Sequence, residues 1–88
     1  MPWRIEYKKS VIKTVRKLDP QVRHKLKEFL EGRIAHLKNP RSVGKALTGT
    51  PDVWRYRVGH FRILCQIKDQ KITILVLDVG HRSSGYKR

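Results

Sequence analysis

The residues in this chain best suited to chemistry are closely spaced arginines. The run Trp54-Arg55-Tyr56-Arg57-Val58-Gly59-His60-Phe61-Arg62 alternates aromatic or apolar residues with arginine and breaks at a glycine. His81, Arg82 and Tyr86 follow further along. A guanidinium fork matches phosphate oxygens in a bidentate way, so arginines held on strands form a rigid anion platform. Histidine and tyrosine beside it can transfer protons. Such a group can bind RNA, or cleave it by stabilising charge at a phosphorane-like transition state. No acidic pair and no His/Cys/Asp cluster has metal-ligand spacing. Cleavage would therefore be metal-independent, with the RNA's 2′-hydroxyl attacking the adjacent phosphate.

These residues need elements to position them. Val53–Val58 and Phe61–Ile67 read as strands joined by a Gly59-His60 turn, with glycine where a type II′ turn needs positive φ. The register then pairs Val58 with Phe61, Arg57 with Arg62, Tyr56 with Ile63 and Trp54 with Cys65. Asp69-Gln70 turns the chain into a third strand, Ile72–Val79, which places Phe61 opposite Asp78. The core face is expected to hold Trp54, Tyr56, Val58, Phe61, Ile63 and Cys65, completed by Ile72, Ile74 and Val76. The other face is expected to be basic through Arg55, Arg57 and Arg62, and greasy through Leu64, Leu75 and Leu77. Arg57, His60, Arg62, His81, Arg82 and Tyr86 should gather at the Gly59-His60 end.

Upstream, Trp3–Tyr7 reads as a first strand. Val11, Ile12, Val15 and Leu18 recur at helical spacing. Asp19-Pro20 pairs an N-cap with a proline at the first helical position. Val22, Leu26, Phe29, Leu30, Ile34 and Leu37 then form one stripe of a second helix, which Asn39-Pro40 stops. Arg41–Pro51 reads as an irregular basic loop. Two consecutive helices reverse the chain twice, so the first strand is expected antiparallel to Val53–Val58. The fold class is α+β, in the order β-α-α-β-β-β, with a helical hairpin packed on one face of a small, mainly antiparallel sheet.

The chain has 88 residues and reads as a single domain, 1–88. A domain this small buries only about 60% of its unfolded surface. Lys+Arg number 21 against 7 Asp+Glu, a formal net charge of +14. That much like charge repels itself, and an acidic partner would relieve it. No stretch approaches the ~18 apolar residues of a spanning helix. Met1-Pro2-Trp3-Arg4 leads into no secretory h-region, so a cytoplasmic protein is expected. The single cysteine, Cys65, reads as a small buried strand residue. The half-apolar face at Leu64, Leu75 and Leu77 suggests a covering protein partner.

The run from Leu47 through Gly49, Pro51 and Trp54 to Leu64 resembles the RelE/ParE toxin superfamily. So does Val76-Leu77-Asp78-Val79-Gly80-His81-Arg82, with Tyr86 after it. The RelE branch is the nearer likeness. The resemblance implies a toxin of a type II toxin–antitoxin pair, a metal-independent and cofactor-free endoribonuclease that cuts mRNA in the ribosomal A site. Arg62 and Arg82 match family arginines that hold the scissile phosphate, and Tyr86 matches a tyrosine near the reacting nucleotide. His81 joins them as a candidate proton-transfer group. Arg55, Arg57, His60 and, in the basic loop, Lys45 are the expected RNA-phosphate contacts. Arg55 and Arg57 stand where the best-known members carry lysine, and arginine does not give up its proton. The base role then falls to Tyr86, His81 or water. Leu64, Leu75 and Leu77 would meet an acidic antitoxin. Two other readings share parts of this evidence: a ParE-like toxin acting on DNA gyrase, and an RNA-binding module without chemistry.

Overall fold

The computed structural model describes residues 2–81. Its elements are β1 (Arg4–Tyr7), α1 (Lys9–Arg16), α2 (Pro20–Lys27), β2 (Lys45–Ala46), β3 (Val53–Val58), β4 (Phe61–Lys68) and β5 (Thr73–His81). The five strands form one sheet in the order β1-β5-β4-β3-β2. The two helices pack on one face, as the α+β reading requires.

The helical hairpin forms where the sequence signals place it. Asp19 caps α2 by accepting a 2.9 Å hydrogen bond from the Gln21 amide, with Pro20 in the first turn. The apolar stripe continues past α2, but not as α-helix. Glu28–Arg33 is a π-helical segment and Ile34–His36 a 3₁₀ turn. Leu26, Leu30 and Ile34 are spaced by four, which overshoots a 3.6-residue turn. A wider π turn absorbs the overshoot and keeps all three inward. They are 3%, 1% and 0% exposed. Against them pack Val11 from α1 and Tyr56, Ile63, Cys65, Ile74, Val76 and Val79 from the sheet. Burial pushes the Cys65 thiol up to about 12, which fits an inert core residue.

The β3–β4 hairpin follows the expected register throughout, including Arg57 opposite Arg62 and Trp54 opposite Cys65. Gly59 has φ 58° and His60 is not left-handed, as a type II′ turn requires.

Four expectations are corrected. First, β1 does not run antiparallel to β3. It pairs in parallel with β5, Ile5 beside Ile74 and Tyr7 beside Val76. The reversal that the sequence hides is β2, a two-residue strand inside the supposedly irregular loop, paired antiparallel to β3. Second, Phe61 lies opposite His81, not Asp78. A bulge between Leu64 and Cys65 in the β4–β5 ladder makes Leu64 face Asp78 while Cys65 faces Val76. Leu77 is the extra residue. Third, Ile72 is not in the core. It sits left-handed at φ 47°, 45% exposed, after a 3₁₀ turn at Asp69–Lys71. Fourth, the second helix is not one regular helix, for the spacing reason above.

The segment between α2 and β3 is clamped at three points. Trp54 Nε1 donates to the Val43 carbonyl at 2.6 Å, and the Tyr56 hydroxyl to the Pro40 carbonyl at 2.6 Å. Arg41 grips Asp69 with two hydrogen bonds of 3.0 and 2.9 Å, and Asp52 lies 3.6 Å away. Gly44 permits the close approach: at φ 79°, a Cβ there would sit 2.4 Å from the Arg55 carbonyl oxygen.

Two outcomes follow from the clamp. Gly44→Ala should cost more than ~2 kcal/mol in urea unfolding, from left-handed strain plus a backbone clash. Gly49→Ala, at φ 82° with nothing within 4 Å, should carry only the strain. Asp69 is held below its ordinary value of 3.8 by its hydrogen bonds from Arg41. Its contribution is therefore present above the unfolded value and lost as pH falls through the lowered folded one. Asp69→Asn should be less stable than the parent at pH 7, and the gap should close as acid protonates the parent's carboxylate.

Candidate phosphate-binding face

The face of the sheet away from the helices carries rows of paired cations. The pleat puts directly paired residues on the same side. One row therefore holds Arg57, Arg62 and Gly80, and the next holds Lys45, Arg55, Leu64 and Asp78. Lys45 arrives through β2, held opposite Arg55 by the clamp. Glycine stands at position 80 beside the Arg62 guanidinium, where a Cβ would meet Nη2 at an ordinary contact distance of 3.7 Å.

Val58 and Phe61 close the two-residue turn as a hydrogen-bonded pair, so Arg57 and Arg62 form the non-hydrogen-bonded pair behind it, where cross-strand side chains approach more closely. Arg57 is exposed, whereas the Arg62 side chain is only 19% exposed. Arg62 Nη2 lies 3.7 Å from Asp78 Oδ2. Its buried Nε has no hydrogen-bond partner among the described residues. A part-buried guanidinium directly opposite a second arginine is suited to an anion, which would relieve their repulsion.

The histidines lie elsewhere. The bulge turns His81 to the side of Phe61, where the two rings meet edge-to-face at 5.4 Å. His60 stacks parallel to it at 6.1 Å. The expected gathering is thus split: Arg57 and Arg62 lie on the helix-free face, with Arg55 and Lys45 in the next row, and His60 lies with His81 around the strand end. Arg82 and Tyr86 lie outside the described residues.

Leu64, Leu75 and Leu77 are half-buried rather than exposed. The large apolar side chains that are exposed, among the described residues, are Ile12 and Ile72. Ile12 lines a groove of about 510 Å³ in the helix layer with Val15, Leu26 and Leu30, flanked by Arg16 and Arg23. Nothing in the sequence marks this groove beyond an apolar residue at position 12. At its edge, Tyr7 donates to Glu31 at 2.5 Å. Burial, reinforced by that carboxylate, raises the Tyr7 pKa.

Known proteins place this geometry. A family model described as the ParE toxin of the type II toxin–antitoxin system parDE matches residues 5–86. The chain belongs to the RelE/ParE superfamily of type II toxin–antitoxin toxins. Within that superfamily it is of RelE type. It is 30% identical to the mRNA interferase toxin RelE of Escherichia coli over 84 residues, covering 93% of this chain and 85% of that one. It is 30% identical to the toxin RelG of Mycobacterium tuberculosis over 92 residues, covering 100% of both chains. The toxin–antitoxin complex RelBE2 from Mycobacterium tuberculosis superposes with a TM-score of 0.82 at 27% identity, covering 94% of each chain.

Like charges directly opposed across strands destabilise a hairpin by up to about 1 kcal/mol. Arg57→Thr should therefore raise stability by ~0.5 kcal/mol in urea unfolding at low salt. The gain should shrink as added salt screens the repulsion. The same substitution should weaken binding to single-stranded RNA.

Proposed function

We propose that this toxin is a ribosome-dependent mRNA endoribonuclease that blocks translation. The carrying observation is the part-buried Arg62, on a helix-free face shared with Arg57, Arg55 and Lys45. Its relatives include a protein named as an mRNA interferase.

In this reading the arginines and Lys45 hold the mRNA backbone, with His60 at the strand end. The 2′-oxygen attacks the adjacent phosphorus and the bond from phosphorus to the 5′-oxygen breaks. A 2′,3′-cyclic phosphate and a 5′-hydroxyl result. Arg62 and Arg82 neutralise the charge that builds on the non-bridging oxygens. One proton leaves the 2′-hydroxyl and one reaches the 5′-oxygen. Arginine cannot carry either at neutral pH, so His81, Tyr86 and water are the groups for those transfers. The nucleophile is already part of the substrate, so the scheme needs neither metal nor cofactor. The ribosome supplies what a flat, open face lacks, a fixed alignment of the reacting atoms.

Silencing falls to an antitoxin. A net charge of +14 favours an acidic one. It would cover Leu64, Leu75 and Leu77 beside the arginine rows. This site lies in the cytoplasm, where ribosomes are.

The test is primer extension on mRNA in a reconstituted translation system. The wild-type protein should leave codon-positioned ends, and Arg62→Ala or Arg82→Ala should slow cutting by ~10²-fold or more. Absence of such cuts overturns the proposal. Inhibited gyrase supercoiling without cuts would support the ParE-like activity that the matched family model's description suggests. Salt-sensitive RNA binding with neither effect would leave a binding module.

A further inference from the structure

Asp78 stands apart from the chain's other acidic groups. It is the carboxylate set among the arginines of the helix-free face, in the row next to Arg62. Simple alternation would put it on the core face with Val76. The bulge at Leu77 turns it outward and brings Val79 in, where Val79 is 5% exposed. A bulge that re-aims one side chain beside a functional site is a recurring device. Its effect here is an ion pair, Arg62 Nη2 to Asp78 Oδ2, at 3.7 Å.

The geometry of that pair is loose. No hydrogen bond links the two groups, although Arg41 and Asp69 achieve two at 3.0 and 2.9 Å. Asp78 is 55% exposed in its side chain, whereas Arg62 is 19% exposed. The carboxylate therefore offsets the charge of Arg62 without saturating its donors. It also sits where it counters the repulsion between Arg62 and Arg57.

We propose that Asp78 is a built-in counter-ion that holds the Arg62 guanidinium in place and competes with an RNA phosphate for it. This rests on the reading of the face as an RNA-backbone site. Asp78 is a positioning residue: it touches Arg62, not the substrate. It sets how tightly the face holds RNA, keeping an arginine-rich surface from clinging to every polyanion.

The probe is a labelled, uncleavable 2′-O-methyl RNA oligonucleotide, followed by fluorescence anisotropy from low to high KCl. Asp78→Asn should bind about tenfold more tightly at low salt, the effect of releasing the Arg62 guanidinium from a unit charge that competes with the phosphate for it in a solvent-facing site. Its log–log salt slope should steepen by about 0.7, the increment for one more phosphate neutralised on a single strand. Glu6→Gln removes the same charge from the β1 edge of the same face, where Glu6 pairs with Arg4 at 3.8 Å. It should gain less than twofold, because screening removes distant charge effects. In an Arg62→Ala background the Asp78→Asn gain should vanish. Asp78→Ser, checked with Asp78→Asn for an unchanged near-ultraviolet circular dichroism spectrum, should shift affinity the same way.

Equal gains from positions 6 and 78 would overturn the proposal. So would a gain that survives the loss of Arg62, or RNA binding too weak to measure in every variant. Codon-positioned cutting with unchanged Asp78→Asn affinity would defeat the role of Asp78 alone. Absent cutting with the affinity gain intact would defeat the nuclease reading alone.

Discussion

The helix-free face depends on one inserted residue. Leu77 interrupts the pairing of β4 with β5, and every side chain after it changes sides. Without the insertion, Asp78 would point into the core and Val79 into solvent. A buried, unpaired carboxylate would cost several kcal/mol, so the alternating register is closed to this sequence. With the insertion, Val79 closes the core under the helices and Asp78 meets Arg62. Core completion and site construction are thus one packing solution.

A second constraint is the shortage of negative charge. With 7 acidic residues among 21 basic ones, each carboxylate placed at a junction has a large local effect. Asp19 caps a helix, and Asp69 and Asp52 anchor Arg41 and with it the segment carrying Lys45. Glu31 accepts from Tyr7, tying the π-helical segment to β1. Asp78 tempers the arginine rows. The other cations are left with little to balance them inside the fold, which is why the protein as a whole is suited to an acidic partner.

Much of this was legible in the sequence because it is local. Strict alternation around Gly59-His60 fixed the β3–β4 hairpin residue by residue, including the unfavourable Arg57–Arg62 pair. Asp19-Pro20 marked the helix start, and the apolar stripe marked its inward side. What stayed hidden is decided by distant contacts. A two-residue strand such as β2 has no period to read. The bulge leaves a single mark in the sequence, because Val76, Leu77, Asp78, Val79 is apolar in both registers except at Asp78. The aspartate was the clue: an acidic residue at an expected core position means that the register is wrong. The family likeness pointed to Arg62 directly, but alternation alone could not have separated His81 from the arginines.

The parallel pairing of β1 with β5 has a consequence in time. β5 lies between β1 and β4 and follows every other described strand. Until it is made, β1 has no neighbour and the core lacks Ile74, Val76 and Val79. Pairing the first strand with the last is a non-local contact, and such contacts form slowly. During synthesis, the β3–β4 hairpin can present Arg57 and Arg62 before any sheet exists to hold them rigid. The arginine platform therefore matures only at the close of folding, and a nascent toxin passes through its own ribosome unassembled.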